Sequence, residues 1–276
     1  MPRDAPKALV LTLYCGEAEY EACKASVTRQ VNVETEHVYF EWLPNSEAHE
    51  AVYRTIMERS DQFDVFLKLD ADMVLVHENA IRDVYEIMLE VPETDHLSMP
   101  VYDLPSGTFL MGFHLFSRRA GWTFPLDPLF PDRNPDVPGI QRIDDSLQRR
   151  IVDHMPSPSP CQAFALGVHR ASKIAQVGRE NKLKPADFPL SYLKRVALNN
   201  GFDHNLRQLI LSGMFETQLE GAQASNYKSS DVNIGSSGLA RVLARLYAQH
   251  PFTGFIFQIL RLRYVYLRRM RVLVAK

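Results

Sequence analysis

Strong charge of either sign is missing from this chain: 31 Lys and Arg stand against 33 Asp and Glu, a formal net charge of -2. That balance excludes a general electrostatic attraction for nucleic acid, so any basic surface must be local. Cysteine is scarce as well. Cys15, Cys23 and Cys161 are odd in number and lack metal-site spacing, which argues against a disulfide framework and for the reduced thiols of a cytoplasmic protein. Long apolar runs are also lacking. The run after Pro6 is too short for a secretory signal, and Leu246 to Leu260, the longest uncharged stretch near the C-terminus, is too short to span a bilayer and carries His250 and Pro251. No internal repeat or low-complexity segment is found. What remains is ordinary globular material, 46% hydrophobic and 23% charged over 276 residues, long enough for one large domain or one domain with an appendage.

The most informative stretch is Phe63 to Val76, F-D-V-F-L-K-L-D-A-D-M-V-L-V. An apolar run broken only by Lys68 predicts a buried strand, and Asp70 and Asp72 stand at its end. Buried acids are costly unless a positive group meets them. A divalent cation such as manganese or magnesium suits two carboxylates with phosphate oxygens; the plain alternative is a solvated turn. Upstream, Ala8 to Tyr14 reads as a strand buried on both faces, Glu17 to Gln30 as a helix, His37 to Leu43 as a second strand and Ser46 to Ser60 as a helix. Strand, helix, strand, helix, strand predicts an α/β sheet with right-handed crossovers. In such sheets ligands sit beyond the carboxyl ends of strands, which is where Tyr14-Cys15-Gly16-Glu17 and Asp70-Ala71-Asp72 fall.

Thr12-Leu13-Tyr14, Glu17, Ser26-Val27-x-x-Gln30, an extended segment ending near Trp42, and Leu69-Asp70-Ala71-Asp72 together resemble the N-terminal half of family-2-type glycosyltransferases with the GT-A fold, over roughly the first 120 residues. The resemblance implies a Rossmann-like mixed sheet flanked by helices. It places Thr12, Tyr14 and Glu17 around a nucleoside, makes Asp72 a ligand of Mn2+ (or Mg2+) bridging the donor diphosphate, and sets Asp70 near the ribose or the metal. The family's usual Asp-Asp-Gly-Ser is replaced here by Trp42-Leu43-Pro44-Asn45-Ser46, with Glu41 as an alternative contact to the base. Lys68 is read either as an edge lysine or as an ammonium paired with Asp70 or a phosphate.

Downstream, Ala80 to Glu90 predicts a helix, His96 to Tyr102 an extended segment, and Ser106 to Arg118 a strand, which the resemblance places behind the donor sugar. His114 lies on that strand, either as a core histidine or as a contact to sugar or acceptor. Leu126 to Gly139, with four prolines, predicts an irregular rim. Asp144-Asp145 then opens a predicted helix running through Leu147, Ile151 and Val152, where acids suit the helix dipole. By resemblance to inverting GT-A enzymes, the same pair supplies a catalytic base: Asp145 first, Asp144 second. After the Pro-spaced linker 156–160, an apolar run ends in Gly167-Val168-His169-Arg170. His169 stands where the resemblance implies a further metal ligand, and Arg170 is a candidate diphosphate partner.

Phe188 to Asn199 and Asn205 to Glu220 predict helices, and Gly221 to Ser237 a linker. From Pro251 onward there are five arginines, one lysine and no acid among aromatic and aliphatic residues. That pattern suits attachment to an anionic membrane surface, or packing on the catalytic domain or on a second copy in a homodimer. The expected organisation is a catalytic domain over 1–185 and a helical C-terminal region over 186–276. The expected activity is transfer of a sugar, UDP-linked as first choice, to a hydroxyl of a glycan or lipid-linked glycan in bacterial surface polysaccharide synthesis. A peripheral position on the inner face of the cell membrane would suit that role. The rivals are a nucleotidyltransferase, for which the loop after the first strand lacks a basic glycine-rich phosphate cradle, and a non-catalytic binding protein.

Overall fold

A computed structural model of the chain describes residues 5–126, 140–143, 149–176 and 188–219. The run after Pro6 forms β1 (Lys7–Tyr14), and Ala8 to Leu11 are completely buried, which is why the strand is a continuous apolar run and not an alternation. The elements that follow are α1 (Tyr20–Thr28), β2 (Glu34–Glu41), α2 (Asn45–Glu58), β3 (Val65–Lys68), β4 (Met73–Leu75), α3 (Ala80–Leu89), β5 (Thr94–Asp103) and β6 (Thr108–Ser117). They are completed by β7 (Ile140–Ile143), β8 (Val152–His154), α4 (Pro160–Gln176), α5 (Phe188–Leu198) and α6 (His204–Leu219).

The strands order as β2-β1-β3-β6-β5-β8-β4, with β7 pairing β5 off this path. β1 lies parallel to both β2 and β3, and β6 then runs antiparallel to β3. The parallel part follows from the helical crossovers; the switch at β6 comes from the tight β5–β6 hairpin, whose register shifts between Met99 and Pro100. This is the expected class, a mixed α/β sheet flanked by helices. β2 is an edge strand, and its exposed Glu34, Glu36 and Glu41 discourage further pairing.

Leu9, Leu11 and Phe66 of the sheet and Val52, Tyr53 and Ile56 of α2 make one core with Phe116, Ala120 and Trp122. Trp122 stacks on Tyr53 with ring centroids 4.5 Å apart. Each of the large side chains fully buried here contributes roughly 1.5–3 kcal/mol of transfer free energy. Tertiary burial overrides local pattern at one later place. Over the described residues 149–152 the predicted helix does not form; Ile151 and Val152 are buried, and Val152 opens β8 between β4 and β5. β-branched side chains pack well on that pleated surface. The apolar run before His169 lies inside α4, which starts with a capping box: the Gln162 N–H donates to Ser159 Oγ at 3.2 Å, and the Ser159 N–H donates to Gln162 Oε1 at 3.4 Å. Pro160 occupies the first helical position, where its missing N–H costs nothing.

α4 crosses α6 at very close range. A Cβ on Gly167 would lie 1.9 Å from the Ile210 carbonyl oxygen, and one on Gly213 would lie 2.1 Å from that of Phe164. α4, α5 and α6 belong to the same compact unit as the sheet, Met1–Val232; the second unit, Asn233–Lys276, and with it the basic tail 251–276, lies outside the described residues. Among the described residues no helix is long and apolar enough to cross a membrane.

Candidate functional site

Two chain turns meet at the carboxyl edge of β1 and β3. After Tyr14 the chain reverses through Gly16, whose φ of 112° favours glycine. The Glu17 side chain folds back on this turn, accepting the Cys15 N–H at 2.7 Å and the Cys15 thiol at 3.0 Å. Tyr14 stacks on Tyr20 at 3.9 Å and meets Trp42 edge-on at 5.3 Å. Trp42 itself is 61% exposed and holds a left-handed φ of 59°, its N–H donating to the Tyr14 carbonyl at 2.9 Å. An exposed indole on a strained backbone is a feature found at binding sites. Thr12 is fully buried, with Oγ1 2.8 Å from His37 Nε2.

The second turn is Asp70-Ala71-Asp72. The Ala71 N–H still bonds the Leu13 carbonyl at 3.1 Å, and the Met155 N–H bonds the Asp72 carbonyl at 2.8 Å, so the tripeptide is pinned from both sides. Its carboxylates diverge. Asp70 accepts the Lys68 ammonium at 2.7 Å; Lys68 is only 7% exposed and Asp70 35%. Burial pushes the Asp70 carboxyl up, but Lys68 outweighs it and the net position lies below the usual carboxylate range. Asp72 faces the other way, toward His154 on β8: His154 Nε2 stands 3.3 Å from Asp72 Oδ2, and His154 Nδ1 stands 2.6 Å from Asp103 Oδ1. Burial alone would lower the imidazole, but Asp72 and then Asp103 outweigh it and hold His154 up at about 10. It is therefore an imidazolium near neutral pH when nothing else sits between the carboxylates.

The surroundings are electronegative. Glu17 and Glu19 are both raised, by burial first, with Asp72 adding in the same direction. Glu19 is 2% exposed and accepts the Ser157 N–H at 3.0 Å and Gln162 Nε2 at 2.8 Å, which ties the start of α4 to the loop after β1. Asp72 Oδ1 is buried without a hydrogen-bond partner. An orphaned carboxylate oxygen among further acids is the kind of position a hard cation fills. Among the described residues no three His, Cys, Asp or Glu side chains form a metal-holding set by themselves. The described part of the chain sets Asp72 and His154 together, and phosphate oxygens and water would complete a shell of the kind that suits manganese or magnesium.

The structure brings Tyr14, Glu17, Lys68, Asp70 and Asp72 to one edge. His169 lies exposed on α4 and Arg170 beside it stacks its guanidinium on Tyr192 at 4.5 Å. His114 pairs with His96 at 3.1 Å and sits opposite Lys68 in the register. Asp144 and Asp145 lie outside the described residues. His154 and Asp103 are absent from the sequence reading. The helical pattern read through Val152 hid the strand that continues into Asp153 and His154; the one local signal for Asp103 is its place before Leu104-Pro105-Ser106-Gly107, a turn sequence at the end of an apolar strand.

No family model matches the chain, and no curated protein sequence matches it. Solved structures do overlap with it. A mannosyltransferase, PcManGT from Pyrobaculum calidifontis in complex with GDP-Man and Mn2+, is 11% identical, with 89% of this chain and 88% of that one covered and a TM-score of 0.35. A glycosyltransferase involved in the glycosylation of the major capsid of PBCV-1 is 15% identical over 55% of this chain and 95% of its own, TM-score 0.35. CMP:2-keto-3-deoxy-manno-octonic acid synthetase complexed with CTP is 11% identical over 41% and 74%, TM-score 0.28. Overlaps this loose carry no argument about activity.

Proposed function

We propose that the chain is a metal-dependent glycosyltransferase that moves a sugar from a nucleotide-diphosphate donor to a hydroxyl of a glycan or lipid-linked glycan. One observation carries the reading: Asp72, at the carboxyl edge of the sheet, has an orphaned buried oxygen and faces an imidazole, beside a loop with an open aromatic surface. Tyr14 and Trp42 offer stacking faces for a nucleoside, and Glu17, locked on the Gly16 turn, shapes the rim beneath it. Asp72 and His154 would hold the cation, His154 giving up its proton as the cation enters. Bound there, a divalent ion acts as a Lewis acid on the departing diphosphate. Lys68 and Asp70 then form a neutral pair at the sugar end, fixed in orientation.

In the transfer, the acceptor hydroxyl oxygen bonds to the anomeric carbon, the bond from that carbon to the diphosphate oxygen breaks, and the hydroxyl proton passes to a carboxylate. Asp145, with Asp144 second, is the base proposed for an inverting reaction. The basic tail from Pro251 to Lys276 is proposed to carry the enzyme to an anionic membrane surface, where a lipid-linked acceptor resides. The test is thermal denaturation with Mn2+ and a panel of nucleoside diphosphates. A Mn2+-dependent rise in Tm with one of them, and release of that diphosphate from its sugar conjugate, is expected. No shift with any of them sinks the reading, and release of pyrophosphate from a nucleoside triphosphate would reassign the site to nucleotidyl transfer.

A further inference from the structure

Asp72, His154 and Asp103 come from β4's leading turn, β8 and the end of β5, and they line up because β8 pairs with both neighbours: Met73 is opposite His154 on one side and Asp103 is opposite His154 on the other. Asp103 has no exposed surface. Its two oxygens are assigned separately. Oδ2 accepts the Ser106 N–H at 2.9 Å, closing the turn in which the Gly107 N–H bonds the Asp103 carbonyl at 2.8 Å, and Oδ1 lies 2.6 Å from His154 Nδ1. The carboxylate is thus fixed by its own turn before it meets the imidazole. An ionised carboxylate only accepts, so the hydrogen at this contact belongs to Nδ1, which leaves Nε2 as the atom directed at Asp72.

We infer that Asp103 is a positioning residue: it locks His154 in the Nδ1–H tautomer so that a bare Nε2 and Asp72 together face one divalent cation. The inference rests on the metal reading above and adds to it the group that keeps His154 in the tautomer able to bind the ion. Asp103→Asn provides the test because an Asn side chain keeps the volume and an oxygen for the Ser106 N–H, yet turns an amide N–H toward Nδ1 and so forces the proton onto Nε2.

Mn2+ binding to the full chain, read by the loss of the free-ion electron paramagnetic resonance signal, should weaken by about 10–100-fold in Asp103→Asn, as is usual for removing the group that orients a metal-bound histidine. Asp95→Asn removes another buried carboxylate, bound to Ser117 and Arg119, and should leave Mn2+ affinity unchanged. Equal Mn2+ affinity in Asp103→Asn and wild type would overturn the inference while leaving the metal site standing. Absence of Mn2+ binding by wild type would remove the metal reading itself. Should Asp103→Asn fail to fold, nitrogen-15 spectra of the wild-type histidines titrated with Zn2+ decide the matter: a proton retained on His154 Nδ1 with Nε2 shifted by the ion supports the inference, and the opposite tautomer ends it.

Discussion

The two flanks of the Asp70-Ala71-Asp72 turn are built differently. On the β1–β3 flank the key side-chain pairs are short in sequence, with Lys68 two residues from Asp70, Cys15 two from Glu17 and Tyr14 six from Tyr20, and Trp42 meets Tyr14 from farther along the chain. On the β8 flank the partners are residues 72, 103 and 154, brought together by strand pairing, and Asn199, just after α5, donates its Nδ2 to the Leu104 carbonyl at 2.7 Å beside Asp103. The first flank is held mainly by local contacts; the second depends on the tertiary fold, so damage far from Asp72 should be felt there first.

The sharpest way to break that contrast is Gly167→Ala. Its methyl would meet a backbone carbonyl that no rotamer can move aside, so we expect a loss of several kcal/mol or failure to fold, measured by urea denaturation. If Gly167→Ala folds with wild-type stability, α4 and α6 do not cross as closely as described. Next in size is Asp72→Ala, which should abolish the Mn2+-dependent rise in Tm; persistence of that rise would move the ligand elsewhere. Lys68→Met tests the local flank. It leaves Asp70 without its ammonium, and because Asp70 is a third open to solvent the cost should be only about 1–2 kcal/mol, with the Mn2+ response retained.

The pH dependence separates the flanks most gently. His154 is raised from 6.5 to about 10, so the folded state holds a proton that the unfolded chain gives up; its stabilisation is complete below about pH 6.5 and is lost as pH rises toward 10. His96 is the reverse case. Burial pushes it down to about 4, so stability drains away as pH falls from about 6.5 toward 4, by at most about 1.4 kcal/mol per unit. His154→Gln should flatten the alkaline limb in metal-free buffer, and His96→Phe, stacked like the native ring on Phe116, should flatten the acid one. Unchanged limbs in both variants would refute these assignments.

The same contrast explains what could be read in advance. β1, α2, β3 and α3 announce themselves because burial imposes a period on each, and Asp70 and Asp72 stand out as acids ending an apolar strand. Lys68 was legible as one of two alternatives, and proximity decides for the pair with Asp70. His154 was not legible. A three-residue strand carries too little periodicity to register, and Ile151 and Val152 fit a helix spacing as well as a strand until the pairing with β4 and β5 is known. His169 shows the converse: a histidine after an apolar run invites a functional role, whereas the capping box at Ser159 to Gln162 had already written that run as helix.

The placement of the indoles has a practical consequence. The chain holds two tryptophans, Trp122 sealed against Tyr53 and Trp42 bare at the mouth of the loop. Collisional quenchers reach only the second, so the native protein carries its own optical gauge of occupancy: a nucleotide that covers Trp42 would shield its emission from iodide or acrylamide without any label, and Trp122 would serve as the internal reference.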